Sequence, residues 1–343
     1  MSPKIFLTGA TGYIGGSVLH ALVTAHPSYT ITVLLRKTPP SFPSVYPNVK
    51  IVQGDYDSAE ILAEQARKAD IVVHNGDSDH EPSLTALLAG LTSKPTPSYL
   101  LHLSGTGILS DWASPAHLGT LNPKVYSDAD PTDIATLASL PDDALHRGTE
   151  KLLFRAAAAH GEKVRIAIMC PPDIYGRGTG LGNTQSVFVR MFIADVRGAG
   201  NRPFYYGEGA NARSWVHVED LMKLYVRVVE AAVDNETSFS GPGEFPGYYF
   251  AGTQEHRHID VARGIGRVLE REGVVADAEP VEVGLEVIDG MARHPRFPQL
   301  GRYLYASNSR TRAVRAGKAF GYKGEAPGLM ESLEGDVLAA LGR

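Results

Sequence analysis

The stretch TGATGYIGG, residues Thr8–Gly16, decides how the first half of the chain is read. It stands between an apolar run, KIFLT, and an amphipathic helical pattern over Tyr13–His26. Three of its glycines are spaced three apart. One permits a tight turn, another lets the backbone approach a pyrophosphate, and the third lets the helix pack closely on the strand. The N–H groups that begin the helix then face the phosphates. The stretch predicts a dinucleotide-binding loop made by Gly9, Thr11, Gly12, Tyr13, Ile14 and Gly15.

Further apolar runs alternate with helical patterns up to about residue 170. They are Lys4–Thr8, Thr30–Arg36, the segments VKIVQGD, DIVVHNG and SYLLHLSG, and Val164–Cys170. Runs that are apolar throughout are typical of parallel strands covered on both faces, and right-handed crossovers make such a sheet doubly wound. We expect an α/β Rossmann domain over residues 1–170, with later contributions near 214–254. Residues 171–343 are expected to form mainly a smaller, mostly helical substrate lobe.

The end of the second strand indicates which dinucleotide binds. A carboxylate there would hold the ribose 2′-hydroxyl of NAD, whereas an arginine accommodates the 2′-phosphate of NADP. The sequence reads LLRKT, with Arg36 and Lys37 and no acid. It therefore predicts NADP(H) in preference to NAD(H). Asp55 and Tyr56, after the third strand, are expected to flank the adenine, and His74 and Asn75, after the fourth, to line the cofactor passage.

Composition excludes several classes of function. The net charge of −5 argues against a nucleic-acid binder, which needs a basic surface. No apolar run approaches the roughly 20 residues that span a membrane. The N-terminus passes directly into a core strand, with no room for a signal peptide, so a cytoplasmic protein is expected. The single cysteine, Cys170, sits in an apolar run that favours a buried thiol. His256 and His258 have metal-like spacing but no clustered ligands, so no metal is expected.

With these residues in hand, the chain resembles the extended short-chain dehydrogenase/reductase superfamily, with an NAD-dependent epimerase/dehydratase-like C-terminal lobe. The glycine spacing is typical of that branch, and three further segments resemble its motifs: Cys170–Gly178 (CPPDIYGRG), Arg213–Leu221 (RSWVHVEDL) and Ser307–Gly324. The resemblance runs from about Lys4 to Tyr322. It implies that Pro171 and Ile174 contact the cofactor and that Tyr126, Tyr175 and Arg213 serve the substrate.

The resemblance also implies a mechanism from which this chain departs. Members transfer hydride with a serine after the fifth strand and a Tyr-x-x-x-Lys pair on the following helix. Ser104 matches the serine. In the helix DALHRGTEKLLF, however, His146 takes the tyrosine position and Glu150 the lysine position. The chain is thus similar to an atypical, fungal-type subgroup that lacks Tyr-x-x-x-Lys.

Two interpretations of the His146 and Glu150 pair stay open. A carboxylate one helical turn from an imidazole raises the pKa of the histidine, and an imidazolium is a competent general acid for a carbonyl oxygen that accepts hydride. Ser104 would assist. Alternatively, the two residues are an ordinary i,i+4 pair on a solvated helix face, worth a few tenths of a kcal/mol.

The sequence therefore predicts an NADP(H)-dependent oxidoreductase that acts on a small-molecule carbonyl or related substrate. Two alternatives remain: an NmrA-like NADP redox sensor, and an epimerase, lyase or cyclase that retains its cofactor. The Ala156–Ala159 run of the same helix would let a partner helix approach, so a homodimer is a further hypothesis.

Overall fold

The computed structural model describes residues 2–240, 246–294 and 297–343. Its strands are β1 (Lys4–Thr8), β2 (Thr30–Leu35), β3 (Lys50–Gln53), β4 (Ile71–His74), β5 (Ser98–Leu103), β6 (Tyr126–Ser127), β7 (Val164–Cys170), β8 (Asp173–Tyr175), β9 (Phe204–Tyr205), β10 (Ala212–His217), β11 (Gly247–Phe250), β12 (Gln254–Arg257), β13 (Val281–Glu282) and β14 (Thr311–Arg312). Its α-helices are α1 (Tyr13–Ala25), α2 (Phe42–Val45), α3 (Ala59–Lys68), α4 (Glu81–Thr92), α5 (Pro131–Ala138), α6 (Arg147–His160), α7 (Val187–Asp195), α8 (Val218–Val233), α9 (His258–Arg271), α10 (Leu285–Asp289), α11 (Leu300–Tyr305), α12 (Val314–Phe320) and α13 (Leu329–Ala340).

The main sheet has seven strands in the order β3-β2-β1-β4-β5-β7-β11, and every neighbouring pair is parallel. The chain builds outward from β1 to β3 and then returns to place β4 on the other side of β1. This reversal opens a crevice at the carboxyl ends of β1 and β4, which is where doubly wound folds bind ligands. The predicted Rossmann fold is confirmed, and β1 and β7 have the predicted bounds.

Both faces of this sheet are covered, which explains why the strands are apolar throughout. Helices α1 and α8 pack on one face, and α3, α4 and α6 pack on the other. The central strands β4 and β5 are buried along their whole length, whereas β3, at the edge, is largely exposed. Burial on both faces leaves the strand ends, and not the strand surfaces, as the place where side chains meet solvent.

The C-terminal lobe has its own apolar core, in which α7, α9 and α13 enclose the strand pair β8 and β10. Strand β10 pairs in parallel with β8 and antiparallel with β12. The lobe is nevertheless joined to the main sheet, because β11, which comes after residue 170, supplies its seventh strand. The division of the chain at residue 170 stays a prediction. Within the described ranges, no helix is long and apolar enough to cross a membrane.

The start of α6 differs from the predicted helix. The sequence placed His146 and Glu150 on one helix face, but the helix begins at Arg147, and His146 precedes it with φ 60° and ψ 0°, in the left-handed region. Such a conformation is uncommon for a residue with a side chain and persists only where its surroundings hold it. Here the Arg147 guanidinium donates to the carbonyls of Leu137, Ala138 and Leu140, which anchors the turn.

Candidate functional site

The loop at the end of β1 leaves no room for a side chain at Gly9 or Gly15. Gly9 has φ +79°, and a Cβ on it would lie 2.1 Å from the carbonyl oxygen of Asn75. A Cβ on Gly15 would lie 2.3 Å from the carbonyl oxygen of Gly9. The Gly12 N–H closes the turn on that same carbonyl at 2.8 Å. The first N–H groups of α1 have no partner within the helix, so the loop can receive an anionic group from the solvent side.

Across the crevice, Asn75 carries a buried donor. Its Oδ1 accepts a hydrogen bond from the Tyr225 hydroxyl at 2.9 Å. Its Nδ2 is buried and has no hydrogen-bond partner among the described residues. Buried donors are rarely left unpaired, so this amide fits an acceptor atom of a bound ligand. The glycine cradle and the Asn75 amide together suit a dinucleotide at the point where the strand order reverses.

The adenosine end of this site is a cavity of about 380 Å³ at the ends of β2 and β3. Arg36, Lys37, Asp55 and Tyr56 all line it. Arg36 and Lys37 are exposed cations. Asp55 accepts hydrogen bonds from the Ser58 hydroxyl and the Asp57 N–H, which lower the pKa of its carboxyl group. The structure thus gathers the predicted adenosine residues around one cavity, of which Arg36 and Lys37 are the exposed cations among the described lining residues.

The remaining predicted cofactor residues belong to the phosphate loop, to α1, to the segment after β7 and to β8. The Thr11 carbonyl accepts from the Asn183 N–H, and the Tyr13 hydroxyl donates to the Gly176 carbonyl at 2.5 Å, so the 176–183 segment packs on the phosphate loop. Ile14 is partly buried against the core on α1. The Pro171 carbonyl accepts from the N–H of Thr106, after β5. Ile174 packs in the core on β8, and its carbonyl accepts from Ser186.

His74 lies beneath the crevice. Its side chain is buried, with Nδ1 2.7 Å from the Thr8 hydroxyl and Nε2 3.4 Å from the Ser83 hydroxyl. Burial lowers the pKa of His74 to about 4, assisted by the nearby His80. A neutral imidazole with both nitrogens near hydroxyl groups supports the strand ends. Its predicted place along the cofactor passage stays a prediction.

His146 forms a dyad with Asp79, a residue that the sequence had not singled out. The Nδ1 atom of His146 lies 2.8 Å from Oδ1 of Asp79 and 3.2 Å from the Ser78 hydroxyl. The imidazole side chain is 16% exposed. Its other nitrogen, Nε2, faces Gly105 at the end of β5, where a Cβ would lie 3.3 Å from it. A carboxylate on Nδ1 favours the tautomer that leaves Nε2 free to exchange a proton.

The charges around His146 favour its protonated form. Burial lowers the pKa of the imidazole, but the hydrogen bond and charge of Asp79, with the charges of Glu150 and Asp77, more than offset this effect. The pKa of His146 is therefore raised above its ordinary value. An imidazole with a raised pKa at the carboxyl end of β5 is suited to donate a proton to a substrate oxygen and to take it back.

Glu150 is not the direct partner of His146. Its carboxylate is buried, with Oε1 accepting from the Ser104 hydroxyl at 2.6 Å and Oε2 from the Tyr248 hydroxyl at 2.5 Å. Burial raises its pKa, although these two hydrogen bonds oppose the rise. The expectation of a solvated helix face is wrong for Glu150, which lies in the interior. The Ser104 proton is directed to Glu150, so Glu150 influences His146 through its charge alone.

None of the three predicted substrate residues is among the described residues that line the cavity beside His146. Tyr175 is fully buried in the C-terminal lobe, and its hydroxyl donates to the Pro327 carbonyl at 2.9 Å. Arg213 is buried and donates from Nε to Asp173 at 2.5 Å. Tyr126 lies on β6 beneath the ammonium group of Lys124. The first two side chains are buried and paired within the fold, and the substrate role of all three residues stays a prediction.

A second cavity, of about 420 Å³, adjoins the dyad and is called the His146 pocket below. It is lined by Asp79, Glu81, Asp143, Ala144, Leu145, His146, Arg147, Gly148, Thr149, His294, Phe297, Leu300 and Tyr303. Sequence reasoning missed Asp79, Phe297 and Tyr303. Asp79 could have been found, because the run NGDSDH places acids directly after β4, at an end of the sheet where ligands bind. The aromatic pair carried no local signal.

Comparison with known proteins agrees with this architecture. A family model described as NAD dependent epimerase/dehydratase family matches residues 146–239, and one described as NAD(P)H-binding matches residues 9–117. Oxidase ucsJ of Acremonium sp is 30% identical over 344 residues, which cover 97% of this chain and 96% of the relative. A dTDP-glucose 4,6-dehydratase of Mycobacterium tuberculosis is 25% identical over 285 residues, covering 78% of each.

Among solved structures, DesIV from Streptomyces venezuelae, a dTDP-glucose 4,6-dehydratase with NAD and TYD bound, aligns with a TM-score of 0.63. The alignment covers 97% of this chain and 95% of that chain at 17% identity. At this identity the likeness concerns the fold alone.

Proposed function

The chain belongs to the NAD-dependent epimerase/dehydratase family, an extended branch of the short-chain dehydrogenase/reductase superfamily, and from this premise we propose that it is an NADP(H)-dependent oxidoreductase. Its substrate is a small-molecule carbonyl compound or the corresponding alcohol. The dyad of His146 and Asp79 replaces the Tyr-x-x-x-Lys pair that the family uses elsewhere.

The Asp79–His146 dyad is the observation that carries the proposal. A sensor that only binds the dinucleotide has no need of an imidazole held on one side by a carboxylate at 2.8 Å. Nor does it need the other nitrogen to face the end of β5, beside a cavity. Nucleophile–base and base–carboxylate pairs of this kind are the usual sign of proton transfer. The left-handed backbone at His146 fits the same interpretation, because strain of this kind concentrates at functional sites.

The cofactor fits the residues of the crevice. Gly9, Gly12 and Gly15 would receive the pyrophosphate, the Asn75 amide would donate to an acceptor atom, and Arg36 with Lys37 would hold a 2′-phosphate. When bound, a nicotinamide supplies a carbon that gives or accepts hydride. Residues of the chain itself carry out the proton transfer.

In the reducing direction, His146 donates a proton from Nε2 to the substrate oxygen. In the oxidising direction, the same nitrogen accepts the proton of the hydroxyl group. Asp79 keeps the Nδ1 proton in place and stabilises the imidazolium. The buried carboxylate of Glu150 adds a further negative charge, so it supports the protonated imidazole without touching it.

NADPH oxidation against a panel of ketones, aldehydes and imines tests the proposal. The His146→Ala variant should lose about 10²–10⁴-fold in kcat/KM, as expected for a positioned acid. His160→Ala, an exposed histidine at the other end of α6, is the matched control and should match wild type. Turnover that is unaffected by His146→Ala would refute the dyad mechanism. A wild type that turns over nothing yet binds NADP⁺ and NADPH with clearly different affinities would instead support the sensor alternative.

Cofactor preference has its own test. Arg36→Ala should weaken NADP(H) binding much more than NAD(H) binding, because only NADP carries the 2′-phosphate that Arg36 faces. Arg67→Ala, an exposed arginine on α3, is the control for a general loss of surface charge. Equal weakening of both dinucleotides by Arg36→Ala would refute the NADP(H) assignment.

A further inference from the structure

Another cavity, of about 540 Å³, is bounded mainly by residues 252–255, 310–314 and 322–324, and it is called the Thr311 pocket below. These three segments are described throughout. None of the described residues that line this pocket also lines the adenosine cavity or the His146 pocket. Its volume lies within the range of about 300–1,000 Å³ that small-molecule sites occupy. The proposed oxidoreductase function makes no use of it.

Two threonine hydroxyl groups of this lining have no partner. Oγ1 of Thr311 and Oγ1 of Thr253 are buried atoms, and neither has a hydrogen-bond partner among the described residues. Thr311 as a whole is 6% exposed. The hydroxyl of Ser214, by contrast, donates to the Thr311 carbonyl at 3.2 Å and accepts from the Thr311 N–H at 2.9 Å. Because buried hydroxyl groups are rarely left unpaired, the two threonines fit an acceptor that a ligand supplies.

Glycines leave the space beside both hydroxyl groups free of side chains. A Cβ on Gly252 would lie 3.4 Å from Oγ1 of Thr311. A Cβ on Gly324 would lie 3.4 Å from Oγ1 of Thr253. Both glycines line the Thr311 pocket. Each unpaired hydroxyl therefore borders a place where the lining carries no side chain.

The charged residues of the lining include two cations without a carboxylate of their own. Arg310 donates to Glu255 from Nε at 2.9 Å and from Nη2 at 2.8 Å, so these two charges offset each other. Arg312 is exposed, and no ion pair joins it to another described residue. Lys323 is 74% exposed, and its Nζ lies 3.8 Å from Glu325, which does not line the pocket. Among the described lining residues, Arg312 and Lys323 thus carry positive charge that no lining carboxylate offsets.

We propose that the Thr311 pocket is a second binding site and that its ligand is a small phosphate monoester. Such a molecule presents three terminal oxygens and a charge of about −1.5 to −2 at neutral pH. Two hydroxyl groups, a guanidinium and an ammonium group offer donors to these oxygens, and a guanidinium matches the geometry of phosphate. A carboxylate, with two oxygens and one charge, would leave part of this donor set unused. The cavity also has room for the alcohol part of the ester.

Titration calorimetry with glycerol phosphate tests the site. The probe should bind the wild type with one-to-one stoichiometry and raise the temperature of thermal unfolding, since a ligand that binds only the folded chain stabilises it. Glycerate, the matched carboxylate, should bind about fivefold more weakly or worse, because it carries less charge and fewer oxygens. The affinity for glycerol phosphate should be the same with and without NADP⁺, because the two sites share no described lining residue.

Variants show whether the probe occupies this pocket. Thr311→Val keeps the shape of the side chain and removes the hydroxyl, so it should weaken glycerol phosphate binding by about tenfold. Arg312→Gln should weaken it by a similar factor. Thr85→Val and Arg67→Gln change exposed residues of α4 and α3 outside the pocket, and as matched controls they should bind the probe like the wild type. Without the probe, Thr311→Val should unfold at the wild-type temperature or above it, because the lost hydroxyl has no partner within the described fold.

The proposal is overturned if glycerol phosphate at millimolar concentration does not bind the wild type, if NADP⁺ displaces it, or if Thr311→Val and Arg312→Gln bind it like the wild type. Glycerate that binds as tightly as glycerol phosphate would overturn the assignment of a phosphate group. Ketone reduction is a separate measurement. A chain that reduces no carbonyl compound but binds glycerol phosphate through Thr311 loses the proposed oxidoreductase function and keeps this second site.

Discussion

Replacing Asp79 by asparagine tests the dyad most directly. The substitution keeps the size of the side chain and removes its charge, while the Nδ1 atom of His146 lies 2.8 Å from the carboxylate in the wild type. A shift in the pH dependence of catalysis then reports the loss of the Asp79 charge beside the imidazole.

The structure sets the size of the effect. A hydrogen bond to a charged group contributes about 1.5–3 kcal/mol, which corresponds to roughly 10–150-fold in rate. The Asp79 side chain is 41% exposed, so solvent screens part of its charge. The effect on the rate should therefore lie at the lower end of this range. We expect Asp79→Asn to reduce kcat/KM for ketone reduction by about 10–30-fold at neutral pH. His146→Ala should cost more, because it removes the acid itself.

The pH profile provides the sharper measurement. Asp79, Glu150 and Asp77 hold the pKa of His146 above its ordinary value. In the reducing direction the protonated imidazole is the active form, so kcat/KM is constant at low pH and falls as the pH rises through that pKa. Without the Asp79 charge the pKa is lower. The decline of Asp79→Asn should therefore begin at a lower pH than that of the wild type.

Asp142→Asn is the matched control, since it removes an equal charge from an exposed pair with Lys151. It should follow the wild-type profile. The reasoning is refuted if Asp79→Asn and Asp142→Asn have the same rates, or if the Asp79→Asn profile moves toward higher pH. NADPH binding, measured by cofactor fluorescence, should be equal in all three proteins.

Three further predictions concern the scaffold. Gly9→Ala should destabilise the chain by about 2 kcal/mol or more and abolish NADP⁺ binding, because its Cβ would lie 2.1 Å from the Asn75 carbonyl oxygen at a positive φ; thermal unfolding and a cofactor titration check this. Burial raises the carboxyl pKa of Glu150 in the folded chain, so its contribution to stability is present below the unfolded pKa and is lost as the pH rises through the folded pKa. The free energy of unfolding of the wild type, measured in urea, should therefore fall relative to that of Glu150→Gln as the pH is raised from 4 to 7. The ordinary pKa of a glutamate carboxyl group, roughly 4.3, lies near the start of this range. Asp173→Ala should cost about 3–5 kcal/mol in urea unfolding, because it leaves the Arg213 charge buried and unpaired, and a loss below 1 kcal/mol would contradict that account.

The sequence by itself determined the fold and the loop and cavity at which we propose that the cofactor binds. The glycine loop, the fully apolar strands and the cations after β2 are local features, each decided by backbone dihedrals, side-chain burial or charge within a few residues. Such features can be recognised in the sequence without knowing which distant residues they contact. For this reason β1 and β7 have the predicted bounds, and Arg36, Lys37, Asp55 and Tyr56 come to line one cavity.

Only the tertiary structure decided the chemistry around His146. The spacing of four residues paired it with Glu150, because neighbours on a helix face are the contacts that a sequence pattern can show. A left-handed residue before α6 instead turns the imidazole to Asp79, 67 positions earlier. Glu150 turns inward to Ser104 and Tyr248, which are 46 and 98 positions away. Partners so far apart in the chain meet only because the sheet brings the ends of β4 and β5, together with strand β11, to α6.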